Sequence, residues 1–110
     1  MSNPNKNKGD RAEREVEALL RDNLGVSARR ELGAGRLDDM GDISGVPNTC
    51  IQVANYKDIA TAVRVKPEQC EDQRIRADKM FAATFIRLRG GDYRVVLTPE
   101  QWFTLWREAA

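Results

Sequence analysis

Gly41-Asp42-Ile43-Ser44-Gly45, followed by Cys50-Ile51-Gln52-Val53-Ala54, is the stretch on which the fold turns. Both runs are short and apolar in alternate positions, and Val46-Pro47-Asn48 between them reads as a turn, so the pair predicts two short strands. In the second strand Ile51 and Val53 point to one face, while Cys50, Gln52 and Ala54 point to the other. Upstream, Val26–Leu32 is a further strand candidate, leading into a loop of glycines and aspartates before Gly41. Before that, Ala12, Val16, Leu19 and Leu20 recur at helical spacing from Asp10 onward, and Gly25 stands where a helix would end. Residues 1–8, polar and without periodicity, predict a flexible arm ahead of a single domain spanning 9–110.

Downstream, Lys57–Val65 reads as helical, Pro67 interrupts or restarts it, and Glu68–Met80 continues as a polar helix. Phe81–Leu88 and Tyr93–Leu97 are strands joined by Arg89-Gly90-Gly91-Asp92, a hairpin turn. Thr98 is placed to cap a last helix, Pro99 takes its first position, and Gln101 completes a capping box. Trp102, Leu105 and Trp106 then form a stripe expected to pack on the sheet. The predicted class is α/β, a mixed β-sheet flanked by helices in the order α-β-β-β-α-β-β-α.

Composition removes several kinds of chemistry. The chain has no histidine and two cysteines among 110 residues, so histidine-based acid–base catalysis, Ser-His-Asp schemes and the common zinc sites are excluded. What remains is chemistry by carboxylates, amides, lysines and arginines, or by a hard metal held through oxygen. No apolar run approaches the ~20 residues that span a bilayer, and the polar start lacks a signal-peptide core. The expectation is therefore no membrane partner and a cytoplasmic location with free thiols. Eighteen basic against seventeen acidic side chains leave a net charge of +1, spread evenly along the chain, so any contact with nucleic acid must be local.

Glu13 borders the buried stripe of the first helix, and Asp42 starts a short strand directly after Gly41. With Gln52 on the next strand, these oxygens make a workable site for one divalent cation of the magnesium type. The segments KGDRAEREVEALLRDN, ARRELGAG, GDISGVP and CIQVANYKD resemble the small Holliday-junction-resolvase-like members of the PD-(D/E)xK nuclease superfamily found in bacteriophages and archaea. RLRGGDYRVVLTPEQWFTL is similar to the C-terminal hairpin and helix of the phage members. The resemblance implies a restriction-endonuclease-like fold and a homodimer that binds branched or duplex DNA in a prokaryotic or phage-infected cell. It also implies cleavage of phosphodiesters with Mg2+ or Mn2+.

The catalytic set of that family is a helix glutamate, an aspartate in Gly-Asp-Ile and a Glu-x-Lys pair. Glu13 and Asp42 match the first two, whereas Gln52 and Ala54 stand at the last two positions. Gln52 can still offer a carbonyl oxygen to a metal, but Ala54 can neither orient water nor steady phosphate charge. Lys57, three residues on, is a weaker substitute from the end of the strand. The altered pair motivates an alternative, a catalytically inactive pseudo-nuclease that binds DNA or a protein. Arg29, Arg30 and Arg36 flank the expected site and suit phosphate through their planar forks. Taken singly, each has a plainer role: a solvated charge, a strand-start aspartate bonding amides, a half-buried amide.

Overall fold

Alternation in Thr49–Ala54 divides the core between two faces of one sheet. Ile51 and Val53 pack with Ala12, Val16, Leu20, Ala28 and Ile43 on one side. On the other, Cys50 packs with Cys70 and Ala82, and Ala54 with Ala62 and Ile86. The computed structural model describes residues 4–31 and 41–110. In chain order the elements are α1 (Pro4–Leu24), β1 (Arg29–Arg30), β2 (Ile43–Ser44), β3 (Thr49–Ala54), α2 (Ile59–Arg76), β4 (Phe81–Arg87), β5 (Tyr93–Val96) and α3 (Pro99–Ala109). A single 3-10 turn at Arg89–Gly91 joins β4 to β5.

The five strands lie in the order β1-β2-β3-β4-β5; β3 and β4 run parallel, and the remaining pairs are antiparallel. The chain is thus α/β, a mixed sheet with α1 on one face and α2 on the other, in the predicted order of elements. Because β3 and β4 are parallel and paired Ala54 to Ile86, their C-terminal ends emerge together at one edge of the molecule. Tyr93 ties β5 back to α1, its hydroxyl donating to Glu15 Oε1 at 2.6 Å, and Arg87 Nε reaches the same carboxylate at 2.8 Å. Among the described residues no helix is long and apolar enough to cross a membrane.

Four expectations need correction. The helix expected from Asp10 begins at Pro4, so residues 4–8 of the stretch read as an arm are helical, and residues 1–3 lie outside the described residues; proline at a first helical position has the required φ and no donor to satisfy. The strand expected over Val26–Leu32 pairs only at Arg29–Arg30, and Leu32 lies outside the described residues. Pro67 does not break α2, which runs through it from Ile59 to Arg76 with Ala62, Pro67 and Cys70 all buried. Burial of that face outweighs the hydrogen bond that proline removes.

The fourth concerns α3. Thr98 caps it as expected, its Oγ1 accepting from Gln101 N at 3.2 Å, but Gln101 does not close a capping box. Its side chain is buried and donates to Glu71 Oε2 on α2 at 3.0 Å. That bond fixes the rotation of α3 with Gln101 inward, so Trp102 and Trp106 face outward instead of packing on the sheet.

Candidate functional site

Gly41 sets the position of Asp42. Its φ is +88°, and a Cβ there would lie 2.6 Å from the Ile51 carbonyl oxygen and 3.0 Å from Cys50 Sγ, so only glycine lets the chain pass this close to β3. Asp42 is then held three ways. Its N–H donates to Ile51 O at 2.8 Å, its carbonyl accepts from Glu31 N at 2.8 Å, and its carboxylate Oδ2 accepts from Val53 N at 2.8 Å. The side chain thereby spans from the start of β2 across to β3.

Glu13 comes to the same place from α1. It follows the buried Ala12 and precedes the buried Val16 by three residues, which turns it toward the sheet. Burial raises its pKa, and the negative charge of Asp42 raises it further; a hydrogen bond and the charge of Arg30 act in the opposite direction without cancelling them. Two carboxylates are therefore close enough to repel. Arg30 relieves part of that charge, its Nε donating to Glu13 Oε1 at 3.4 Å and its Nη2 to Asp10 Oδ1 at 2.8 Å. The Arg30 N–H donates to Glu17 Oε2 at 2.7 Å, so this arginine is committed to acidic residues of α1.

The other predicted residues lie elsewhere. Gln52 is 3% exposed and sits on the α2 face of β3, its Nε2 donating to Gln73 Oε1 at 2.7 Å. Its own Oε1 is buried without a hydrogen-bond partner among the described residues. Glu13 packs on the opposite face of the sheet, so the structure brings Glu13 and Asp42 together and leaves Gln52 apart from them. Ala54 is buried against Ala62 and Ile86. Arg29 is exposed on β1, on the rim of a shallow pocket shared with Arg14 and Arg21. Arg36 lies outside the described residues.

Lys57 is exposed just past the C-terminal end of β3, and here the structure assembles something that sequence reasoning missed. A pocket at the shared end of β3 and β4 is lined by Lys8 and Arg11 of α1, Asn55, Tyr56 and Lys57 after β3, Arg87 at the end of β4, and Leu88 and Arg89 after it. Five of those side chains are cationic and none is acidic. Asn55 Nδ2 donates to the Lys8 carbonyl oxygen at 3.0 Å, which closes the start of α1 onto the end of β3. A second pocket, lined by Lys8, Gly9, Val53, Lys57 and the acidic Asp58 among others, continues the same surface to the residue whose N–H Asp42 holds. The signal in the sequence was a cation just beyond each of two strand ends, Lys57 and Arg89, separated by thirty-two residues and balanced by acids elsewhere.

Oxygen ligands from one or two carboxylates are what Mg2+ takes from a protein, the rest of its shell being water and phosphate oxygen. Glu13 and Asp42 fit that demand, since a cation between them would offset both the burial and the Asp42 charge that raise the pKa of Glu13. Among the described residues no group of three or more histidine, cysteine, aspartate or glutamate side chains is placed to hold a metal ion. Compared with protein-family models, curated proteins and solved structures, the chain matches none of them.

Proposed function

We propose that the chain is a restriction-endonuclease-like domain that binds branched or duplex DNA in the cytoplasm of a prokaryotic or phage-infected cell. Its activity is Holliday-junction-resolvase-like, the cutting of phosphodiesters with Mg2+ or Mn2+. The observation that carries this reading is the convergence of Glu13 and Asp42 from α1 and the start of β2, beside an edge of the molecule rich in cations.

The divalent ion would supply Lewis-acid activation of water and of the scissile phosphate. Glu13 and Asp42 would hold it, and the Val53 N–H fixes the orientation of the Asp42 carboxylate through Oδ2. Lys8, Lys57 and Arg89 are exposed on the basic edge and take the DNA backbone by charge. Lys57 stands nearest in sequence to the position of the missing family lysine, and its part is to neutralise phosphate. Gln52, bonded to Gln73, supports the packing of α2 and stays out of the reaction.

A second reading has its own observation. Ala54 is buried where the resemblance implies a lysine, and Gln52 is turned to the opposite face, so the chain could keep the fold and bind DNA without cutting it. One experiment separates the two. Incubation of a labelled four-way junction and a matched duplex with the protein and Mg2+ or Mn2+ is expected to give cleavage that Asp42→Ala reduces by at least about tenfold, since even groups that only orient a metal ligand are worth that much. Binding with no cleavage by either protein favours the pseudo-nuclease. Cleavage that survives Asp42→Ala removes the carboxylate pair from the mechanism.

A further inference from the structure

The five cations that line the pocket at the shared end of β3 and β4 are not equivalent. Arg87 Nε donates to Glu15 Oε1 at 2.8 Å and Arg11 Nε lies 3.5 Å from Glu15 Oε2, so these two are committed to one carboxylate of α1. Lys8, Lys57 and Arg89 are exposed and have no acidic partner among the described residues. The acid beside Lys57 in sequence, Asp58, is spent on capping α2: its Oδ1 accepts from Thr61 N at 3.2 Å and its Oδ2 from Thr61 Oγ1 at 2.6 Å.

Each of the three cations stands on a separate, fixed segment. The Lys8 carbonyl oxygen accepts from Asn55 Nδ2 at 3.0 Å, which ties α1 to the end of β3 where Lys57 follows. Arg89 rides a turn closed by the Leu88 N–H donating to Asp92 O at 2.7 Å and the Gly91 N–H donating to Leu88 O at 3.1 Å. Tyr56, 40% exposed, adds an aromatic wall, and the Lys66 ammonium lies 5.7 Å from its ring centroid.

We propose that this pocket takes a nucleoside phosphomonoester by its terminal phosphate. Such a group carries about two negative charges at pH 7 and three strong acceptor oxygens, whereas a diester inside a strand has a single charge and fewer free oxygens. Three cations from three segments match the monoester. The cavity holds about 230 Å³, below the ~300–1,000 Å³ of sites that enclose a drug-sized ligand, so it suits a phosphoryl group and its sugar, with the base against Tyr56. An uninterrupted strand lies along a surface and does not enter such a cavity end on. Two sources present the group, the phosphorylated end of a DNA strand and a free nucleotide. The inference deepens the reading of this edge as a phosphate surface and rests on it, but it requires no cleavage.

Isothermal titration calorimetry of the full chain in EDTA tests it, with thymidine 5′-monophosphate, the methyl diester of that nucleotide and thymidine as probes. The monophosphate is expected to bind at least about tenfold more tightly than the diester, and thymidine to give no measurable heat. Lys57→Ala and Arg89→Ala each weaken the monophosphate by about tenfold and leave the far-ultraviolet circular dichroism unchanged, both side chains being exposed. Fluorescence anisotropy of one oligonucleotide with a 5′-phosphate, a 3′-phosphate or hydroxyls at both ends then identifies the source. A preference for a phosphorylated end supports the proposal with the strand end as ligand; monophosphate binding without that preference supports it with the free nucleotide. Equal affinity for monophosphate and methyl diester, or no monophosphate binding at millimolar concentration, overturns it. If unphosphorylated DNA still loses affinity with the same two substitutions in that event, the edge remains a backbone surface, so the two readings fail separately.

Discussion

Burial and the neighbouring charge of Asp42 both penalise the ionised form of Glu13, and Arg30 offsets only part of that penalty, so this glutamate is held where its own charge is unwelcome. A side chain chosen for stability alone would be neutral at that position. The folded chain retains the Glu13 proton above the ordinary value of 4.5, and the unfolded chain does not. Stability from this group is therefore present at low pH and lost as pH rises from about 4.5 through the raised value. Glu13→Gln is expected to raise the melting temperature near pH 8, with the gain shrinking as pH falls toward 4. Thermal unfolding of both proteins across that range checks it, and a variant less stable at pH 8 than at pH 4 relative to the parent contradicts it. The nearness of Glu13 to Asp42 was expected from order and spacing only together with the family resemblance of the flanking segments. The place of Gln52 was not, because alternation gives the two faces of a strand without saying which helix covers each.

At the scale of elements, the site depends on how close β2 comes to β3. Gly41 permits that approach, and an added Cβ would meet the Ile51 carbonyl oxygen at 2.6 Å in a backbone conformation that alanine resists. Gly41→Ala is expected to cost ~1–3 kcal/mol in urea unfolding and to displace Asp42 from the Val53 N–H. A cost below about 0.5 kcal/mol, within the range of ordinary surface changes, contradicts this account of the junction. Strands β3, β4 and β5 were evident from β-branched and aromatic alternation, and α1 from its apolar spacing. The rotation of α3 was hidden, since Trp102, Leu105 and Trp106 have the spacing of a buried stripe, while one hydrogen bond from Gln101 to Glu71 turns the helix the other way. The passage of α2 through Pro67 was hidden for a related reason: local preference argued for a break, and packing of Ala62 and Cys70 on the sheet overrode it.

Over the whole molecule, a net charge of +1 goes with a local cluster of cations at one edge, two of which, Arg11 and Arg87, pair with Glu15. Parallel pairing of β3 with β4 gathers five cations from α1 and from both strand ends at one edge, while the carboxylate pair lies between α1 and the junction of β2 with β3. Acids distributed over the helices balance the total, which is why composition alone pointed away from a phosphate-binding surface. The central claim is that Glu13 and Asp42 act as one binding site for a divalent cation. The carboxylate-carbon NMR spectrum during titration with substoichiometric Mn2+ tests it most directly, since a paramagnetic ion broadens the groups nearest to it first. The side-chain signals of Glu13 and Asp42 are expected to broaden together and before those of the other acidic residues. If both stay sharp while carboxylates elsewhere on the chain broaden, the site does not exist.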